Sequence, residues 1–218
     1  IRDVAALLEL LAGLGVTVST RGPSSVSLRA SGVNGAEADH KLAKQIRASI
    51  LLAGPLLARR GRVRLPPPGG DVIGRRRIDT HVLGLEALGA KFHATPETFS
   101  FSIEKRLVGA EIFLDEASVT GTENIIMAAA LAEGRTTIMN AASEPHVQEL
   151  CRLINAMGGQ ISGIGTNTLV IDGVTRLHGA EHTIGPDYIE VGSFVVLAAV
   201  TGGELLIQGA HMNEHRAA

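Results

Sequence analysis

A threefold internal repeat constrains this chain more than any other feature. The tripeptide Gly-Ala-Glu begins at Gly35, Gly109 and Gly179, 74 and 70 residues apart. In step with it, a helical pattern runs into glycine and then into a β-rich stretch at Gly15, Gly89 and Gly158, and again at Gly61, Gly134 and Gly203. Glycine closes a helix at such junctions because it takes the left-handed conformation without a Cβ penalty. Each copy therefore predicts two helices and several short strands, and a stack of such copies buries its apolar faces between neighbours.

Helices are expected over 4–12, 43–59, 81–88, 125–132, 147–157 and 189–199, with Pro55 bending or tightening the second. Strands are expected at 26–28, 62–65, 99–103, 135–139, 169–171 and 204–207. Several helices are apolar on nearly every side, which calls for burial on more than one face. That pattern suits a wound α/β arrangement with helices inside and sheets outside. A dinucleotide-binding sheet fits poorly, since its helices keep one polar face and no Gly-x-Gly-x-x-Gly follows a strand.

The 218 residues are 45 % apolar and 19 % charged, with a formal net charge of −2. These values exclude a disordered chain and leave no net positive charge to drive nucleic-acid binding. Aromatic residues make up only 3 % and tryptophan is absent, so the core must be aliphatic. One cysteine, Cys151, permits neither an internal disulfide nor a cysteine zinc cluster, and its place in a helical apolar pattern does not suit a nucleophile. None of the eight histidines is joined to a cysteine at ligand spacing, so no metal is expected. His40, His81 and His146 are read as solvated or capping residues. No apolar run approaches the ~18 residues of a membrane span and no signal-peptide pattern is present, so the expected compartment is the cytoplasm. Because the chain starts at Ile1, already within an amphipathic pattern, it is expected to be a piece of a longer protein.

Two loops carry chemistry-bearing residues. Residues 65–81 join a proline-stiffened start, the turn glycines Gly69, Gly70 and Gly74, the acidic Asp71 and the arginines Arg75, Arg76 and Arg77 to a helix that Asp79 can cap. Arginine forks recognise phosphate or carboxylate in bidentate fashion, and a mobile loop of this kind can close over a ligand. A solvated surface loop fits the same composition. Residues 114–125 run from a strand into an apolar helix with Ser118 or Thr122 at its start, a pattern that suits an anion site or ordinary capping. Arg47 suits a ligand contact or a snorkelling surface residue equally well.

Together these segments resemble the UDP-N-acetylglucosamine enolpyruvyltransferase family. The resemblance rests on Leu65, Gly69-Gly70, Ile73-Gly74, Arg76 and Ile78-Asp79, then Ser118-Val119 and Thr122-Glu123-Asn124, Leu131 to Gly134, Asn140-Ala141-Ala142 with Glu144-Pro145, and Pro186-Asp187 with Ile189-Glu190 and Gly192. These motifs occur in family order along nearly the whole chain. The resemblance implies an α/β fold of two domains, each an inside-out α/β barrel of three βαβαββ repeats. Residues 1–184 would form the first domain without its start, and residues 185–218 the beginning of the second. It also implies transfer of the enolpyruvyl group of phosphoenolpyruvate to the 3-hydroxyl of UDP-N-acetylglucosamine by addition and elimination, the first committed step of peptidoglycan synthesis, with no cofactor.

Carried over by position, the resemblance implies that Arg47 contacts the nucleotide-sugar and Arg76 binds the phosphate of phosphoenolpyruvate. It implies that Arg77, Ile78, Asp79, Thr80, Ser118, Val119 and Thr120 line the uridine-diphosphate site. Asp71 occupies the loop position of the general acid, where most members carry a cysteine that is also the target of fosfomycin. The chain departs from the family pattern at Arg77, where proline is usual, and at Thr120, where glycine is usual. The amino-terminal Lys-Asn pair and the base of the second domain have no counterpart in these residues, which implies an inactive fragment needing the other domain of the same polypeptide. The competing readings are a non-catalytic nucleotide-sugar-binding module and a relative acting on shikimate phosphate.

Overall fold

The computed structural model describes residues 2–70 and 77–210. The chain begins with helix α1 (Arg2–Gly13), hairpin β1 (Thr17–Thr20) and β2 (Val26–Arg29), and a short helix α2 (His40–Ala43). A 3-10 segment (Arg47–Leu52) then leads directly into α3 (Ala53–Arg60) and β3 (Arg62–Leu65). The middle copy contains α4 (Asp79–Ala87), β4 (Lys91–Ala94), β5 (Phe99–Ser102), β6 (Glu111–Phe113), α5 (Val119–Ala129) and β7 (Arg135–Met139). The last comprises α6 (Pro145–Ala156), β8 (Gln160–Ser162), β9 (Thr168–Asp172) and α7 (Tyr188–Thr201).

The glycines that mark the repeat have the conformation the sequence demands. Gly15, Gly89 and Gly158 sit at φ of 95°, 96° and 92°, each closing a helix before a hairpin. Gly61 and Gly134 close the second helices at φ of 72° and 86°. In the third copy the left-handed residue is Gly202, at φ 63°, rather than Gly203.

Consecutive copies share their sheets. β3 joins the next copy's hairpin in the antiparallel order β3-β5-β4, and β7 joins the one after in β6-β7-β9-β8, where β6 and β7 run parallel. These are mixed sheets whose inner faces carry Val63, Leu65, Phe99, Phe101, Ile112, Ile138, Leu169 and Ile171 onto the helices. α5 lies at the centre against α3, α4 and α6, with Ile125, Ile126, Ala128 and Ala129 fully enclosed. Helices inside and sheets outside is the expected α/β arrangement.

Three expectations are corrected. Residues 43–59 do not form one helix: the chain breaks after α2, tightens to 3-10 geometry and resumes as α3. Pro55 explains the restart, since it lacks an N–H and sits in the first turn of α3, where no donor is needed. Residues 204–207 form no strand. In the first two copies the glutamate of the Gly-Ala-Glu tripeptide pairs in parallel with the strand after the second helix, Glu37 with Arg64 of β3 and Glu111 with Thr137 of β7. A Cβ on Gly109 would come within 2.1 Å of the Arg135 carbonyl oxygen, whereas one on Gly179 would meet nothing within 4 Å. Among the described residues no strand lies beside the third tripeptide to pair with residues 204–207. Finally α7, apolar on all sides, has no buried residue and leaves Phe194, Val195, Val196, Leu197 and Val200 exposed.

Candidate active site

The first turns of α4 and α5 and the start of the 3-10 segment face one cleft of about 280 Å³, lined by Arg47, Arg77, Thr80, His81, Glu116, Ser118 and Thr120. Arg47 opens the 3-10 segment and donates from Nη2 to the carbonyl of Arg77 at 2.8 Å. Arg77 in turn pairs with Asp79, which is half exposed. This charge pair, not a side-chain cap, accompanies the start of α4; Asp79 is its first helical residue and Ile78 precedes it without a side-chain hydrogen bond. Ser118 caps α5, its Oγ accepting from the Gly121 N–H at 3.2 Å. Thr122 does not cap; its hydroxyl accepts from the Ala142 N–H at 3.0 Å.

Gly121 brings the two helix starts together. A Cβ there would lie 2.8 Å from Thr80 Cγ2, so a larger residue would push α5 off α4. On the cleft wall Thr80 Oγ1 donates to Glu116 Oε1 at 3.1 Å. Two guanidinium groups and the free N–H groups of the α5 N-terminus make the cleft receptive to an anion. The Glu116 carboxylate sets a boundary to that field.

Behind the cleft is a buried polar group. His81, 2 % exposed, is enclosed rather than solvated or capping, correcting the expectation. Its Nε2 lies 3.2 Å from Thr120 Oγ1 and its Nδ1 2.9 Å from Asn124 Nδ2. Burial, assisted by the Arg47 charge, pushes the imidazole pKa down to about 4. Asn124, fully buried, also donates from Nδ2 to the Ile50 carbonyl at 2.8 Å and accepts the Gly54 N–H on Oδ1 at 2.7 Å. Its amide is thus inserted between Gly54 N–H and Ile50 C=O, the pair that a continuous α-helix would join directly.

The structure therefore brings Arg47, Arg77, Thr80, Ser118 and Thr120 to one place. Ile78 and Val119 pack against the core, and Asp79 faces Arg77 outside the cleft lining. Asp71 and Arg76 lie outside the described residues. His81, Glu116 and Asn124 carry no assignment from the sequence, because their significance arises from partners up to 74 residues distant. One signal was available: an asparagine heading an otherwise apolar helix must find buried partners. Cys151 is buried, which pushes its thiol up to about 11, as suits an inert core residue. No helix among the described residues is long and apolar enough to cross a membrane.

Comparison with known proteins gives this geometry a family. The chain is 56 % identical over 216 residues to the UDP-N-acetylglucosamine 1-carboxyvinyltransferase of Treponema denticola and 52 % identical to that of Bradyrhizobium diazoefficiens, in each case over 99 % of this chain and 50 % of the relative. It spans about half the length of the curated relatives it matches. Among solved structures, the enolpyruvyl transferase NikO of Streptomyces tendae shares its fold with a TM-score of 0.76 at 23 % identity, over 89 % of this chain and 46 % of that one. An EPSP synthase of Acinetobacter baumannii does so with a TM-score of 0.66 at 23 % identity, over 91 % and 45 %. The sequence profile of the EPSP synthase (3-phosphoshikimate 1-carboxyvinyltransferase) family matches residues 1–218 throughout. Shared α/β architecture, high identity to carboxyvinyltransferases and a whole-chain profile match together show that this chain belongs to the EPSP synthase family of enolpyruvyl transferases.

Proposed function

We propose that this chain supplies the nucleotide-sugar half of an enzyme that transfers the enolpyruvyl group of phosphoenolpyruvate to the 3-hydroxyl of UDP-N-acetylglucosamine, in the cytoplasmic phase of peptidoglycan synthesis. The observation that carries the reading is the convergence of Arg47, Arg77, Thr80, Ser118 and Thr120 on one cleft, in a chain 56 % identical to a relative named for that sugar nucleotide. Arg47 and Arg77 supply charge for the diphosphate, Ser118 and Thr120 supply hydroxyls and Thr80 forms part of the wall, while Ile78, Asp79 and Val119 support that wall from behind it. Arg76 binds the phosphate of phosphoenolpyruvate. The sugar hydroxyl, giving up its proton to the base of the other domain, adds to C2 of phosphoenolpyruvate while Asp71 protonates the methylene carbon, and loss of phosphate together with a proton from that same carbon then restores the double bond. Residues 1–184 form one domain, and residues 185–218 open a second. The apolar α7, which has no buried residue, supports that division, because a helix of this composition is stable when other chain covers it.

Asp71 gives the reading a direct test. A carboxyl group is not alkylated by the fosfomycin epoxide as a thiolate is, so the enzyme carrying this chain at the full length of its relatives is expected to resist fosfomycin. Asp71→Cys is expected to make it sensitive, and Asp71→Asn to lower turnover by roughly a hundredfold, the smaller end of what a general acid contributes. Phosphate release followed with and without fosfomycin checks both. Covalent labelling of the wild type by fosfomycin, or full turnover by Asp71→Asn, removes Asp71 from the acid role.

A further inference from the structure

Thr120 stands where the family pattern has glycine, and the residues behind it determine what its hydroxyl can do. The direction of each hydrogen bond is fixed from the backbone outward. The Gly54 N–H can only donate and the Ile50 carbonyl can only accept, so Asn124 must present Oδ1 to the first and Nδ2 to the second. Turning the amide over would set donor against donor and acceptor against acceptor. The second hydrogen of Nδ2 then points at His81 Nδ1, 2.9 Å away, which must be the bare nitrogen. In a neutral ring the proton therefore sits on Nε2 and is donated to Thr120 Oγ1. The burial that lowers the pKa of His81 keeps the ring neutral at pH 7.

From this we infer that Asn124 and His81 are positioning residues that hold Thr120 as an outward-facing hydrogen-bond donor, an added contact for an unprotonated phosphate oxygen of the bound sugar nucleotide. The hydroxyl cannot donate back to the imidazole, and among the described residues no backbone carbonyl takes its proton. Ser118 is arranged in the same sense, since its oxygen accepts the Gly121 N–H and its proton is left for the cleft. Thr80 differs, because its proton is spent on Glu116. The cleft thus has a donor side at Ser118 and Thr120 and a carboxylate at Glu116 that repels phosphate, which confines a diphosphate to the donor side. The inference rests on the proposed nucleotide-sugar reading for its ligand, but the hydrogen-bond directions do not depend on it.

Two measurements test it on the 218-residue chain. Nitrogen-15 NMR of the ligand-free protein at pH 7 is expected to show His81 neutral with Nε2 protonated and Nδ1 bare; an Nδ1-protonated or cationic ring overturns the relay. In calorimetric titration with UDP-N-acetylglucosamine, Thr120→Val is expected to weaken binding by about tenfold to a hundredfold, the loss of one hydrogen bond to a charged group, and Thr120→Ser to restore it to within about twofold. His81→Phe, which leaves the hydroxyl in place but undirected, is expected to fall between them. A wild type that binds while Thr120→Val binds equally well overturns the inference alone. A wild type with the expected ring protonation that takes up no UDP-N-acetylglucosamine overturns the functional reading on which the ligand rests.

Discussion

Asn124→Leu is expected to destabilise the folded chain by about 3–5 kcal/mol, since each buried group stripped of its partner costs about 1–3 kcal/mol. Leucine has the same branched heavy-atom arrangement as asparagine and is larger, so the loss is not that of a cavity. The Gly54 N–H and His81 Nδ1 would both be left without the partners they have at 2.7 and 2.9 Å. The Ile50 carbonyl suffers less, because the Ala53 N–H still reaches it. Gly54 leaves no room for adjustment: the backbone oxygen of Asn124 lies 2.3 Å from where a Cβ on Gly54 would be, so the two segments are in close contact. Urea unfolding followed by far-ultraviolet circular dichroism measures the effect, tryptophan being absent. A loss below about 1 kcal/mol, the value of an ordinary exposed hydrogen bond, would mean that Asn124 is not the joint between α5 and the broken helix before it.

The second large effect is a pair of opposed pH dependences. His81 has its pKa lowered from 6.5 to about 4 on folding, chiefly by burial and then by Arg47. Between those values the unfolded chain binds more protons than the folded one, so this group makes stability rise with pH from about 4 to 6.5, by about 3 kcal/mol in all. Glu123 has its pKa raised from 4.5 to about 7, by burial first and by the nearby Glu144 second. There the folded chain holds the extra proton, so stability falls as pH rises from about 4.5 to 7. His146, 3.9 Å from the Glu123 carboxylate, is too far and too exposed to reverse that. The two slopes oppose each other across their shared window. Relative to wild type, Glu123→Gln is expected to gain stability as pH rises from 4.5 to 7, while His81→Gln is expected to lose it from 4 to 6.5. Chemical denaturation at half-unit intervals of pH resolves both differences. Parallel profiles for wild type and either variant would contradict the protonation state assigned to that residue.

Much of this structure was legible because it depends on backbone geometry that only certain residues allow. Gly15, Gly89 and Gly158 must be glycine to hold φ near 95°, so their spacing exposed the repeat directly. Ser118 was readable as a cap because capping is local, spanning three residues to Gly121. The broken helix at 43–59 was not, since its apolar residues fit a continuous helix and only Asn124, far along the chain, supplies the inserted amide. His81 likewise looked like a surface residue at a helix start until α5 closed over it. The Glu204–Ile207 stretch shows the converse: β-rich residues form a strand only where a neighbouring strand offers hydrogen bonds.

The central claim, that this cleft receives a sugar nucleotide, is most directly tested by calorimetric titration of the chain with UDP-N-acetylglucosamine and, separately, with shikimate 3-phosphate. The account predicts saturable binding of the sugar nucleotide, weakened at least roughly tenfold by Arg47→Ala as befits loss of a charge-assisted contact, and no binding of shikimate 3-phosphate. Binding of shikimate 3-phosphate in preference, or sugar-nucleotide binding indifferent to Arg47→Ala, would contradict it.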